Sequence, residues 1–74
     1  MGISRVIRTD QEIVDQTNDL ARQFALQMEY DMPEGYKFYE SKHPRAICFW
    51  RMACKAQEWL TDTDPMDALS ALED

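Results

Sequence analysis

Seventy-four residues, 45% of them hydrophobic and 30% charged, leave room for one small domain or for half of a core shared with a partner, since independent folding units run from about 50 to 200 residues. The net charge of −6 is uneven: residues 1–36, 37–55 and 56–74 carry −4, +4 and −6, a balance that disfavours general binding to nucleic acid, which depends on neutralising phosphates. No stretch approaches the roughly 20 apolar residues that cross a bilayer, so the expected setting is the cytoplasm, without a membrane partner and with Cys48 and Cys54 reduced.

For a chain this short, apolar burial at about 25 cal/mol per Å² and ordering at about 1.5 kcal/mol per residue nearly cancel. Cys48 and Cys54 lie six apart on one expected helix and point to different sides, so no disulfide joins them. Self-association, as a homodimer, is the remaining stabiliser.

Residues 1–8 intersperse Ile3, Val6 and Ile7 with polar residues, which suits either a short strand adding to a partner or a flexible arm on a single domain spanning 1–74. Thr9-Asp10-Gln11-Glu12 is a capping box, in which the Thr hydroxyl and the Glu carboxylate each satisfy an orphan N–H. The first helix is expected over about 10–30. Ile13, Leu20, Phe24 and Met28, with Val14, Ala21 and Ala25, form one apolar side, and Asp15, Asp19, Arg22 and Glu29 form the other. Pro33 is the stop.

The connection to residue 44 is broken by Pro33 and Gly35 yet holds Tyr36, Phe38 and Tyr39. An ordered loop is expected, with these rings folding back over the helix pair and a short extended piece at 36–39. Pro44 suits a helix's first turn, capped by Ser41 or His43, so the second helix spans about 44–60. Its expected core stripe is Phe49, Met52, Ala53, Ala56 and Leu60, widened by Ala46, Trp50 and Trp59, with Arg51, Lys55 and Glu58 outside. Asp64 as cap, Pro65 and Asp67 open a short third helix, about 65–72, burying Leu69 and Leu72 with Met66 or Ala68. The expected fold is all-α: a helical hairpin of two amphipathic helices plus a short C-terminal helix.

No constellation of residues points to catalysis, a cofactor or a metal. Zinc sites want four ligands in paired short spacings, whereas His43, Cys48 and Cys54 are three at spacings of five and six. Asp62, Asp64 and Asp67 lack the central Gly and terminal Glu of a calcium loop. The bases Lys37, Lys42, Arg45, Arg51 and Lys55 alternate with aromatic rings, as single-strand nucleic-acid sites do, but they also serve to neutralise the chain's own acids. The acidic C-terminal segment is a candidate phosphate mimic.

Leu26 and Ile47 are apolar residues on the polar sides of their helices. With Arg51, Lys55, Tyr36 and Tyr39 they make up the expected interaction surface, unless the third helix or the aromatic loop covers them.

Residues 8–24 (RTDQEIVDQTNDLARQF), 33–40 (PEGYKFYE) and 61–64 (TDTD) resemble a small family of accessory proteins encoded in the early regions of lambda-like bacteriophages and enterobacterial prophages. Residues 46–56 depart most from that pattern. The resemblance implies a setting, the cytoplasm of the infected or lysogenic cell, and an accessory role in host takeover or in the balance between lysis and lysogeny; the expectation that the partner is a host or phage protein rests on the missing catalytic groups, on Leu26 and Ile47 and on the segregated charge. It implies no catalytic motif. Its alternatives are a nucleic-acid-related regulator acting through 37–55, or an acidic DNA mimic.

Overall fold

Thr9 and Glu12 close the expected box: the Thr9 hydroxyl accepts from Glu12 N at 3.1 Å and the Glu12 carboxylate accepts from Thr9 N at 2.9 Å. In the computed structural model, which describes residues 9–73, helix α1 runs from this cap over Asp10–Gln27. It stops before the expected residue 30 because Glu29, at φ 58°, turns left-handed. Tyr30 N then donates to Ala25 O and Glu29 N to Leu26 O, the paired bonds of a Schellman cap. The early stop leaves Met28 exposed, outside the apolar side to which its spacing assigned it.

The cap aims Tyr30 at the start of α2, Pro44–Thr61. Its ring lies 5.9 Å from that of Phe49 and 6.0 Å from that of His43, with the Arg45 guanidinium 5.6 Å above it. His43 is the N-cap: Nδ1 accepts from Arg45 N at 3.3 Å, so the neutral ring carries its proton on Nε2 and donates to Tyr30 Oη, 3.2 Å away. Asp62, left-handed at φ 55°, ends α2. The Asp64 carboxylate then accepts from Met66 N and Asp67 N and opens α3, Pro65–Glu73.

The aromatic connection is ordered, but residues 36–39 are not extended. Pro33 to Tyr36 form a turn closed by Tyr36 N donating to Pro33 O, with Gly35 at φ 82° in the position that needs a left-handed residue. A 3₁₀ turn follows at Phe38–Glu40. Asn18 of α1 clamps it: Nδ2 donates to Tyr36 O at 2.8 Å and Oδ1 accepts from Phe38 N at 2.7 Å. Tyr36 Oη bonds Ser41 Oγ. Phe38 is thereby driven into the core.

Helices α1 and α2 lie antiparallel along a seam of small residues. Val14, Thr17, Ala21 and Ala25 of α1 meet Ala46, Phe49, Trp50, Ala53, Cys54 and Gln57 of α2, all buried. Where the backbones come close, Gln57 Nε2 donates to Thr17 Oγ1 at 3.2 Å, and Thr17 in turn donates to Ile13 O. That buried pair fixes which residues sit level across the seam, because sliding either helix leaves a buried polar group unpaired. The buried arc of α2 is therefore rotated from the expected one. Cys54 and Gln57 are inside, while Met52, Trp59 and Leu60 are exposed.

The 3₁₀ turn and α3 both pack against α1 and α2. Leu69 is half-buried and, of Met66 and Ala68, it is Ala68 that is buried and Met66 that is exposed; Leu72, expected inside, is exposed. Trp50 Nε1 donates to Met66 Sδ at 3.1 Å, and Tyr39 lies against Trp50 with ring centroids 5.6 Å apart. The principal extents are 37 × 32 × 19 Å, the smallest being the depth of two helix layers at about 10 Å each. Among the described residues there is no strand, and no helix is long and apolar enough to cross a membrane.

Candidate interaction surface

One layer is the α1–α2 pair; the other is α3 with the 3₁₀ turn, and it covers a single face of the pair. On α1 the covered side is marked by Asn18, which holds the 3₁₀ turn. On α2 it is marked by Trp50, which bonds Met66. A 3.6-residue period then fixes what lies on the opposite face. From α1 come Ile13, Leu20 and Phe24, only partly buried. From α2 come Met52, Ala56 and Leu60, with Trp59 at the outer edge. Leu60 is 81% and Trp59 82% exposed. This is an apolar strip along both helices over which, among the described residues, neither α3 nor the 3₁₀ turn lies, in a chain short of core.

Charge is placed differently on the two helices. On α1, Asp15 and Asp19 border a hollow beside the 3₁₀ turn with Asn18, Tyr36 and Lys37; on α2, Arg51 and Lys55 are exposed on the side turned away from α1. Among the described residues the one ion pair is Lys55 with Glu58, at 3.8 Å within α2 and well exposed, so it adds little to stability.

The residues expected to form one interaction surface are not brought together. Leu26 is exposed on the α1 side that carries Asp19 and Arg22, whereas Ile47 is exposed on the α3 side of α2, beside Cys54. Arg51 and Lys55 stand at the outer edge of α2. Tyr36 and Tyr39 are half-buried in the covered layer, Tyr36 with its ring edge-on to Phe38 at 5.0 Å. The apolar strip was missed because Met52 and Leu60 were assigned to the core. The signal that finds it is the run of small residues, Ala21 and Ala25 with Ala46 and Ala53, which marks the close seam and leaves the larger residues on its flanks.

The basic residues converge only in part. Lys37 and Lys42 border one hollow with Tyr36, Glu40 and His43, Arg45 lies over Tyr30, and Arg51 and Lys55 stand apart on α2. Trp50 and Phe38 are buried, which withholds two of the rings that a stacking platform needs.

Trp59 also forms one wall of a shallow hollow of about 460 Å³ with Glu58, Asp62, Thr63 and Asp64. Both ring nitrogens of His43 are engaged in capping and in the Tyr30 bond. Cys48 is exposed and Cys54 buried, on different sides of α2 as expected. Burial pushes the Cys54 thiol up to about 11, with the Glu58 and Asp64 carboxylates adding to the rise, so at neutral pH it is a protonated packing group. Among the described residues no three His, Cys, Asp or Glu side chains are grouped to hold a metal.

Searches against protein-family models, curated proteins and solved structures give no match to this chain.

Proposed function

We propose that this protein is a non-enzymatic interaction module whose contact surface is the uncovered face of the α1–α2 pair. The observation that carries this reading is the strip from Ile13 to Leu60 with Trp59 beside it: Met52, Trp59 and Leu60 of α2 are exposed while Phe49 and Trp50 of the same helix fill the core. Burying such a strip against another protein recovers about 25 cal/mol per Å² of apolar area, and nothing within the covered layer competes for it. The resemblance of residues 8–24, 33–40 and 61–64 supplies the setting: an accessory protein of a lambda-like phage or prophage, acting by protein contact in the cytoplasm of the infected or lysogenic bacterium, in host takeover or the lysis–lysogeny balance.

The test is affinity capture from infected or lysogenic bacterial cells, with mass spectrometry of what is retained, using the chain and its Leu60→Lys variant as baits. Leu60 is too exposed for its replacement to unfold the bait. The expected result is a protein species, another protein or untagged copies of this chain, held by the wild type and reduced at least about tenfold in the variant, as loss of a central interface anchor does. Equal retention by both baits contradicts the reading.

A further inference from the structure

We infer that Met66 is an oxidation-responsive latch: oxidation of its thioether by a peroxide turns the weak bond it accepts from Trp50 into a strong one and fastens α3 to α2. The inference concerns the covered side of the molecule and is independent of what the uncovered face contacts.

The latch starts from a buried donor. Trp50 is 5% exposed, and a buried indole N–H is costly to leave without an acceptor. It donates to Met66 Sδ, 3.1 Å away. A thioether sulfur is a weak acceptor, so this core ring is held by a poor partner.

Met66, unlike that ring, is within reach of solvent. It is 51% exposed and stands in the first turn of α3, where Pro65 and Ala68 are the buried residues. A helix of nine residues does not hold its own shape in water. Its order depends on what ties it to α1 and α2, and the Trp50–Met66 bond is one such tie. Met28 and Met52 are exposed too, but Met66 is the methionine whose sulfur meets a donor from the core.

Oxidation proceeds by attack of a sulfur lone pair on one oxygen of hydrogen peroxide. The O–O bond breaks, the sulfur keeps that oxygen as a sulfoxide, and the other oxygen leaves as water with both hydrogens. Sulfur loses two electrons and the peroxide gains them. A dithiol reverses the step: it becomes a disulfide, the sulfoxide oxygen departs as water, and the thioether returns. The sulfoxide oxygen carries more negative charge than the thioether sulfur and accepts a hydrogen bond more strongly. Because half of Met66 lies in solvent, its sulfur has room to retreat and let that oxygen face Trp50 Nε1. In an apolar core the same oxidation is disruptive, whereas here the polar atom arrives at a donor already waiting for it.

The test uses the full chain before and after treatment with hydrogen peroxide. Tryptic mapping locates the added oxygen, since segment 56–74 contains Met66 as its one methionine. Exchange of the two indole N–H protons with solvent is then followed by NMR. The expected result is one oxygen on Met66 and exchange at Trp50 slowed about fivefold, in keeping with the net worth of one stronger hydrogen bond, while exposed Trp59 is unchanged. Reduction by a dithiol-dependent methionine sulfoxide reductase is expected to restore the original rate. Met66→Leu, checked by circular dichroism for unchanged helix content, is expected to show no slowing on peroxide treatment, and the double variant Met28→Leu, Met52→Leu to keep it.

A Met66 that stays unoxidised while Met28 is converted overturns the inference, because the latch is then out of reach. A Met66 sulfoxide with exchange at Trp50 unchanged or faster overturns it as well, and so does slowing that persists in Met66→Leu.

Discussion

Replacing Phe38 by Ala is expected to remove a large share of the stability of this fold, about 3–5 kcal/mol out of the roughly 4–11 kcal/mol that a domain of this size holds. Phe38 sits in what would ordinarily be a surface connection, yet it is 1% exposed and the largest of the fully buried side chains. It touches both long helices through the 3₁₀ turn and carries Tyr36 edge-on against it. Truncation leaves a cavity that the Asn18 clamp, by holding the backbone at Tyr36 and Phe38, prevents from collapsing. In thermal unfolding followed by circular dichroism, a midpoint lowered by about 15 °C or more is the expected result. A change under about 5 °C would mean that the turn lies on the helix pair without completing its core.

The second large effect concerns the seam. Ala53 is fully buried where α1 and α2 approach, level with Ala21. Ala53→Leu forces the backbones apart and stretches the Gln57–Thr17 bond four residues away, so a loss of about 1–3 kcal/mol is expected in urea unfolding. Ala56→Leu, less than one turn further along the same helix, points to the uncovered face. It is expected to change the stability of the isolated chain by no more than about 0.5 kcal/mol. Equal losses from the two substitutions would show that the seam is not where the small residues place it.

This pair of alanines also shows what was legible in the sequence. Every helix start was readable, because caps are local: the Thr9–Glu12 box, His43 before Pro44 and Asp64 before Pro65 each act within three residues of the N–H groups they satisfy. The folding back of the aromatic connection was readable too, since three rings in four residues need cover.

The orientation of α2 was not readable in the same way. Ranking its positions by hydrophobicity puts Met52 and Leu60 inside, but the inside of a close helix pair goes to residues that allow approach, and to a Gln and a Thr that pair with each other. The end of α1 was set by Tyr30 reaching Phe49, a contact 19 residues apart in sequence, rather than by Pro33. Leu26 and Ile47 stood out because each is alone among polar neighbours. The continuous strip did not, since a helical wheel cannot tell which flank of a helix pair a third helix will cover.

The two tryptophans report on the two faces of the α1–α2 pair, Trp50 under α3 and Trp59 on the strip. Fluorine NMR of the chain labelled with 5-fluorotryptophan, recorded in H₂O and D₂O with and without the protein retained in the affinity capture, tests most directly whether the uncovered face is a contact surface. The account predicts a solvent isotope shift at Trp59 in the chain alone, lost in the complex, and none at Trp50 in either. A Trp59 signal already shielded in the chain alone, or one equally open to solvent in the complex, would contradict it.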